Sequence, residues 1–219
     1  MVTALSTAPR TSVYIDAFNL YYGSLKGTHY KWLNLQTMCQ HLLPGNDIMS
    51  IKYFTAKVSA RPNDPQIPLR QQMYLRAIQT IPTVEIMLGH YLTQTVKMRL
   101  VTPIQDATGH IHKFANVIKT EEKGSDVNLA VALMNDAHLN LFDVAVVVSN
   151  DSDLLAPIKI IRASMGKKVG VLNPQQNTSR AIQREVDFYK PIRSGVLQIS
   201  QFPDNLTDNI GAFHKPLSW

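Results

Sequence analysis

The chain has 219 residues, 45% hydrophobic and 17% charged, with 22 lysines and arginines against 16 acids and a formal charge of +6. That composition supplies the core of one α/β domain with extensions, carries too little charge for a disordered chain, and contains no apolar run near the roughly 18–20 residues of a membrane span. A single cysteine, Cys39, excludes an internal disulfide framework and a cysteine-based zinc cage, while the basic balance points to a polyanionic partner.

Residues 1–12 lack the apolar stretch of a signal peptide, and 1–11 read as a disordered lead-in to a soluble, cytoplasmic protein. Residues 13–17 (VYIDA) form a short buried strand. Trp32, Leu35, Met38, Cys39, Leu42 and Leu43 recur at a helical period, so the spacing predicts a helix over 32–43, stopped by Pro44-Gly45-Asn46. A second strand covers 50–58, and a proline-rich loop from Pro62 to Pro68 leads to a helix over 69–79. The strand VEIMLGHYL follows Pro82. Residues 91–101 then alternate, with Leu92, Val96, Met98 and Leu100 on one face and Tyr91, Thr93, Thr95, Lys97 and Arg99 on the other. With a return strand over 111–119 and a turn at Asp106–Gly109, this reads as a hairpin with one wet face, inserted at about 91–119.

A helix over 126–138 shows Val127, Ala130, Val131 and Met134 as its apolar positions. DVAVVVS (143–149) is continuous in β-branched residues, as a strand buried on both faces should be. A helix over 151–165 and a strand over Lys168–Leu172 complete the alternation, which implies a mostly parallel sheet with helices on both faces. Residues 193–219 are a C-terminal extension with VLQIS as an edge strand.

In such a sheet, sites form beyond the carboxyl ends of the strands. Asp16 ends the first strand, Asp151 and Asp153 follow VAVVVS, and Asp126 opens the helix that feeds it. Four acids distant in sequence therefore meet at one sheet edge. Their mutual repulsion calls for a cation, and an all-oxygen set favours Mg²⁺ or Mn²⁺. Helix capping would explain Asp126, Asp151 and Asp153 one at a time; it does not explain Asp16, which ends a strand with no cap-and-helix signal after it. The chain has no phosphate-binding or dinucleotide glycine loop and no nucleophile elbow. His110 and His112 lack a third zinc ligand.

Three blocks carry a family resemblance: Asp16-Ala-Phe-Asn19, Lys123-Gly-Ser-Asp126 and Ser149-Asn-Asp151-Ser-Asp153. In this order they resemble the NYN domain, a PIN-like nuclease branch that includes LabA-type and DUF88 proteins, over about residues 12–192. The resemblance implies a three-layer α/β/α sandwich and a metal-dependent nuclease that hydrolyses phosphodiesters. RNA, single-stranded in preference, is its implied substrate, with DNA as an alternative and a homo-oligomer left open. It makes Asp16, Asp126, Asp151 and Asp153 the ligands of Mg²⁺ or Mn²⁺. Asn19 would orient a water or a phosphate oxygen, Ser149 would hydrogen-bond a ligand carboxylate, and Lys123 would place charge on the phosphate. Glu121 and Glu122 are not selected by the family pattern. Lys97 and Arg99, two apart on one strand face with Tyr91, offer cations and a ring to a single strand. The competing reading is a PIN-like RNA- or protein-binding module without catalysis.

The bases are unevenly placed. From Lys52 to Lys119 nine bases meet three acids, so 9 − 3 = +6 equals the charge of the whole chain. This stretch reads either as a solvated surface or as the nucleic-acid face.

Overall fold

The computed structural model describes residues 8–219. At its centre β1 (Arg10–Asp16) and β5 (Val144–Val148) pair in parallel, β1 buried from Thr11 onward with Val13–Ile15 as its apolar run, β5 apolar and buried along its length. Alternate side chains feed two cores. Val13, Ile15, Val144, Val146 and Val148 face one side, and Tyr14, Ala145 and Val147 the other. A one-turn helix α1 (Ala17–Leu20) and a π-turn at Tyr21–Leu25 follow β1, then α2 (Leu35–Leu42), β2 (Asp47–Ala56), α3 (Ile67–Ile78), β3 (Val84–Gln105), β4 (Ile111–Lys123) and α4 (Ser125–His138). After β5 come a 3-10 turn at Ser152–Leu154, α5 (Leu155–Met165), β6 (Lys168–Asn173), α6 (Arg180–Arg184), β7 (Phe188–Pro191), α7 (Ser194–Ile199), β8 (Asn205–Asp208) and β9 (Gly211–His214). The main sheet runs β4-β3-β2-β1-β5-β6-β7, and only β4 is antiparallel to its neighbour. The first core packs α2 and α3, the second α4 and α5, which makes three α/β/α layers. No helix among the described residues is long and apolar enough to cross a membrane.

Several elements differ from the sequence reading. Residues 1–7 lie outside the described residues, but Arg10 and Thr11 are already in β1, because the Arg10 guanidinium grips Asp143 at 2.8 and 3.1 Å. The second helix starts at Leu35 because the Asn34 side chain accepts from the Thr37 N–H and caps it there. VLQIS is not an edge strand. It lies in α7 and its C-cap, with Leu197 buried, and β7 closes the sheet; so short an apolar run fits either period. In α4, Val127 and Val131 are exposed, while Leu129, Leu133 and Ala137 are buried. The buried face also holds Asp136, whose carboxylate accepts from the Tyr14 hydroxyl and from Lys52 Nζ, both at 2.7 Å. A charged residue on the core side hid that face from a hydrophobic count.

The hairpin is the outer half of a sheet strand. β3 runs unbroken for 22 residues and pairs with β2 only as far as Gly89. Beyond that point β3 and β4 form a projecting two-stranded ribbon, open on both faces, with Leu92, Met98, Phe114 and Ile118 exposed. The basic stretch is partly neutralised: Lys52 pairs with Asp136, Arg70 with Asp64, Arg76 with Asp208 and Lys119 with Glu121. The C-terminal extension docks through that Arg76–Asp208 fork, with Phe213 under the guanidinium and Trp219 against Trp32 and Tyr74.

Candidate functional site

Asp16 ends β1 nearly buried and, contrary to the sequence reading, is a helix cap. Its Oδ1 accepts from the Asn19 N–H at 2.9 Å at the start of α1. Its Oδ2 accepts from the Ser149 hydroxyl at 3.2 Å. The same hydroxyl oxygen accepts from the Asp151 N–H at 3.1 Å, and Asp151 Oδ1 accepts from the Asp153 N–H at 3.0 Å. One chain of hydrogen bonds thus joins the ends of β1 and β5. Asn19 braces it, since its side-chain oxygen accepts from the Asn150 N–H and from Gln175 Nε2, both at 3.1 Å.

The Lys123-Gly-Ser-Asp126 block arrives from β4 at the edge of the sheet. Gly124, at φ +97°, turns the end of β4 into α4 in a conformation that favours glycine. Asp126 then sits in the first turn of α4 and makes no cap there. Glu122 accepts from the Ser125 N–H at 3.0 Å and its hydroxyl at 2.7 Å. β3 passes beneath this carboxylate so closely that a Cβ on Gly89 would lie 2.5 Å from Glu122 Oε1.

Asp16, Asn19, Glu122, Asp126 and Asp151 line one cleft of about 360 Å³, walled by Phe18, Tyr91 and Gln175. Asp153 and Lys123 are not among its lining residues. Asp153 still acts on Asp126 through its charge, and Lys123 pairs with Glu121 at 3.3 Å. Lys97 and Arg99 lie on the ribbon face of Tyr91, opposite Asn116 and Phe114, with Lys97 Nζ 5.5 Å from the centre of the Phe114 ring. That face runs outward from the cleft. Glu122 and Gln175 are the residues the sequence reading did not select. Glu122 had a local signal, a carboxylate placed to bond a helix-start serine; Gln175 had none.

Burial, followed by the charges of Asp126 and Asp151, pushes the Asp16 carboxyl up to about 6 against the opposing hydrogen bonds from Asn19 and Ser149. Desolvation in the cleft, then Asp151, Glu122 and Asp153, hold Asp126 above its usual range. Carboxylates that burden one another in this way match a hard divalent cation in both charge and donor type. Among the described residues no group of three or more His, Cys, Asp or Glu side chains is placed to hold a metal ion, so an ion here would rest on fewer carboxylates and complete its shell with waters, as Mg²⁺ does.

The NYN domain profile matches residues 10–193. The chain is 32% identical to the 6-hydroxy-3-succinoylpyridine 3-monooxygenase HspA of Pseudomonas putida, over 96% of this chain and 75% of that protein. It superposes on the crystal structure of a Vibrio parahaemolyticus protein of unknown function with a TM-score of 0.56 at 18% identity, covering 88% of this chain and 98% of the other. That likeness bears on the fold alone. With the three sequence blocks gathered at one sheet edge and the profile spanning nearly the whole sheet, the chain belongs to the NYN domain family, within the PIN-like nuclease superfamily.

Proposed function

We propose that this chain hydrolyses phosphodiester bonds with Mg²⁺ or Mn²⁺, and that single-stranded RNA is its substrate. The observation that carries this reading is the convergence of Asp16, Asp126, Asp151 and Glu122, from three separate parts of the chain, on one open cleft. Asp16 and Asp151 would hold the ion, with Asp126 and Asp153 completing its shell directly or through water. A divalent ion bound there neutralises the phosphate and acidifies a water for attack on phosphorus.

The protein's own groups have separate tasks. Asn19 and Ser149 fix the Asp16 carboxylate by hydrogen bonds, so its orientation is set before substrate arrives. The Asn19 amide oxygen is engaged, which leaves its NH₂ to donate to a phosphate oxygen. Tyr91 offers a ring at the cleft wall, and Lys97 and Arg99 neutralise phosphates farther along the strand. Lys123 adds positive charge near the rim. A module that bound polyanions without catalysis would gain nothing from an acid-lined cleft, which favours the enzyme.

The test is a Mn²⁺ titration of metal-stripped protein against labelled single-stranded RNA, single-stranded DNA and a small phosphodiester. Metal-dependent scission that is lost in Asp16→Asn supports the proposal. RNA binding without scission at any metal concentration supports the binding module instead.

A second reading rests on kinship with HspA. Carried over from that relative's name, the activity would be oxygenation of a small heteroaromatic acid. It would consume one dioxygen and two electrons from a reductant, with one oxygen atom entering the substrate and the other leaving as water. Oxygen uptake that depends on both an aromatic acid and a reductant distinguishes it from hydrolysis.

A further inference from the structure

Against α1, lined in part by Ala17 and Phe18, lies a second cavity of about 320 Å³. It shares Phe18 and Tyr22 with the cleft. Its walls are rings from four parts of the chain: Tyr21 in the π-turn, Tyr53 on β2, Tyr74 on α3 and Trp219 in the C-terminal extension. Trp219 lies beyond the matched residues 10–193, so this wall is added to the NYN domain by the extension.

The cavity is more than a gap between rings. Tyr53 and Thr55 are two apart on β2 and share a face. They are only 7% and 3% exposed, and neither hydroxyl bonds to a described residue. Among the described residues the hydroxyls sealed from solvent without a partner are those of Thr83 and Ser200; those of Tyr53 and Thr55 keep access to the cavity. By contrast, the Tyr74 hydroxyl donates to the Leu33 carbonyl at 2.9 Å and has no need of a ligand. Three cations line the cavity, Lys31, Arg61 and Arg70, against one acid, Asp64, which Arg70 already engages. Lys31 and Arg61 make no ion pair with a described residue. The cavity therefore combines flat aromatic walls, two unused hydroxyls and two unused positive charges. Its volume is at the small end for ligand sites, enough for one or two rings with a short tail and too small for a folded nucleic-acid segment.

We infer that this cavity binds a small planar aromatic molecule carrying an anionic group. The ring packs among Tyr21, Tyr74 and Trp219, the anion meets Arg61 and Lys31, and a polar atom of the ligand bonds to the Tyr53 and Thr55 hydroxyls. A free heteroaromatic acid and the base and phosphate of a mononucleotide share this chemistry. The inference rests on the cavity and is independent of the reaction at the acid cleft.

The test is calorimetric titration of the whole chain with pyridine-3-carboxylate, 4-hydroxybenzoate and uridine 5′-monophosphate. Pyridine-3-carboxamide serves as the uncharged ring, and acetate and phosphate as anions without a ring. At least one ring-bearing anion should saturate one site with a Kd below about 1 mM, roughly tenfold or more tighter than every control. Arg61→Gln and Tyr53→Phe should each weaken it by about tenfold, since each removes one hydrogen-bonding group. Asp151→Asn, which alters the cleft and not the cavity wall, should bind as the unchanged chain does, which separates this site from the cleft. Preference for the mononucleotide identifies a nucleotide site; preference for the free acids identifies a small-acid site. The inference is overturned if no ring-bearing anion saturates, if the controls bind equally well, or if Arg61→Gln and Tyr53→Phe both bind like the unchanged chain.

Discussion

Two hollows flank α1, and they differ in almost every physical respect. The cleft before it is lined by four carboxylates, of which Asp16, Glu122 and Asp151 are held by hydrogen bonds, and their charges burden one another. The cavity behind it is lined by rings and cations, with hydroxyls left unbonded. The first is short of positive charge and the second of negative charge. Phe18 and Tyr22 form the partition between them, and Phe18 also packs edge-on against Tyr91 at 6.1 Å. Their fields still meet: the Asp16 charge reaches Tyr53 in the cavity wall, and the Arg61 charge reaches Tyr91 in the cleft wall.

The largest expected effect breaks one hollow and spares the other. Asp16→Asn or Asp151→Asn should lower RNA cleavage by roughly a thousandfold, the scale of losing a group that organises transition-state charge, and Asp151→Asn should leave aromatic-anion binding unchanged. Asparagine caps a helix about as well as aspartate, so the caps at α1 and the 3-10 turn survive. A parallel loss of both functions in Asp151→Asn would show that the two hollows are not separate sites.

The pH dependence sharpens the same contrast. The folded value for Asp16, about 6, lies above the ordinary 3.8, so the folded state favours the protonated acid. That contribution is fully present below about pH 3.8 and is lost as pH rises through about 6. Thermal melts should show Asp16→Asn gaining on the unchanged chain between about pH 4 and pH 7, by roughly 3 kcal/mol at most from 1.36 kcal/mol per pK unit. Mn²⁺ should narrow the gap. Cleavage should rise over the same interval, as the acid must ionise to hold a cation.

A smaller effect belongs to the ribbon. Lys97→Glu with Arg99→Glu should weaken RNA binding and flatten its salt dependence by about 0.7 per lost phosphate contact, with cleavage at saturating RNA little altered. An unchanged salt slope would return these residues to a solvated surface. The smallest effect concerns α4. Val127→Ser, on the exposed face, should shift stability by under about 0.5 kcal/mol, whereas Leu129→Ala in the core should cost about 2–5 kcal/mol.

What could be read beforehand follows the same division. The acids of the cleft each stand at the end of an element, within a few residues of a local pattern, and a parallel sheet carries strand ends to one edge whatever the loops do. Asp16 and Asp151 were legible for that reason, and β1 and β5 because their apolar runs are continuous. The role of Asp16 as a cap was hidden, because a four-residue helix leaves too little periodicity to detect. VLQIS was misread because so short an apolar run fits two periods, and the buried face of α4 because Asp136 lies on it. The aromatic cavity had no linear signature at all. Its rings are contributed by Tyr21, Tyr53, Tyr74 and Trp219, and only the docking of the extension through Arg76 and Asp208 brings the last of these into place.

The central claim is that the acid cleft holds a catalytic divalent cation, and the direct measurement is anomalous scattering from a crystal soaked in Mn²⁺. The account predicts a peak in the cleft at coordination distance, about 2.0–2.3 Å, from carboxylate oxygens of Asp16 and Asp151, absent from an Asp16→Asn crystal treated identically. Saturating Mn²⁺ that leaves those two carboxylates without a peak, in a crystal whose cleft is open to solvent, would contradict it.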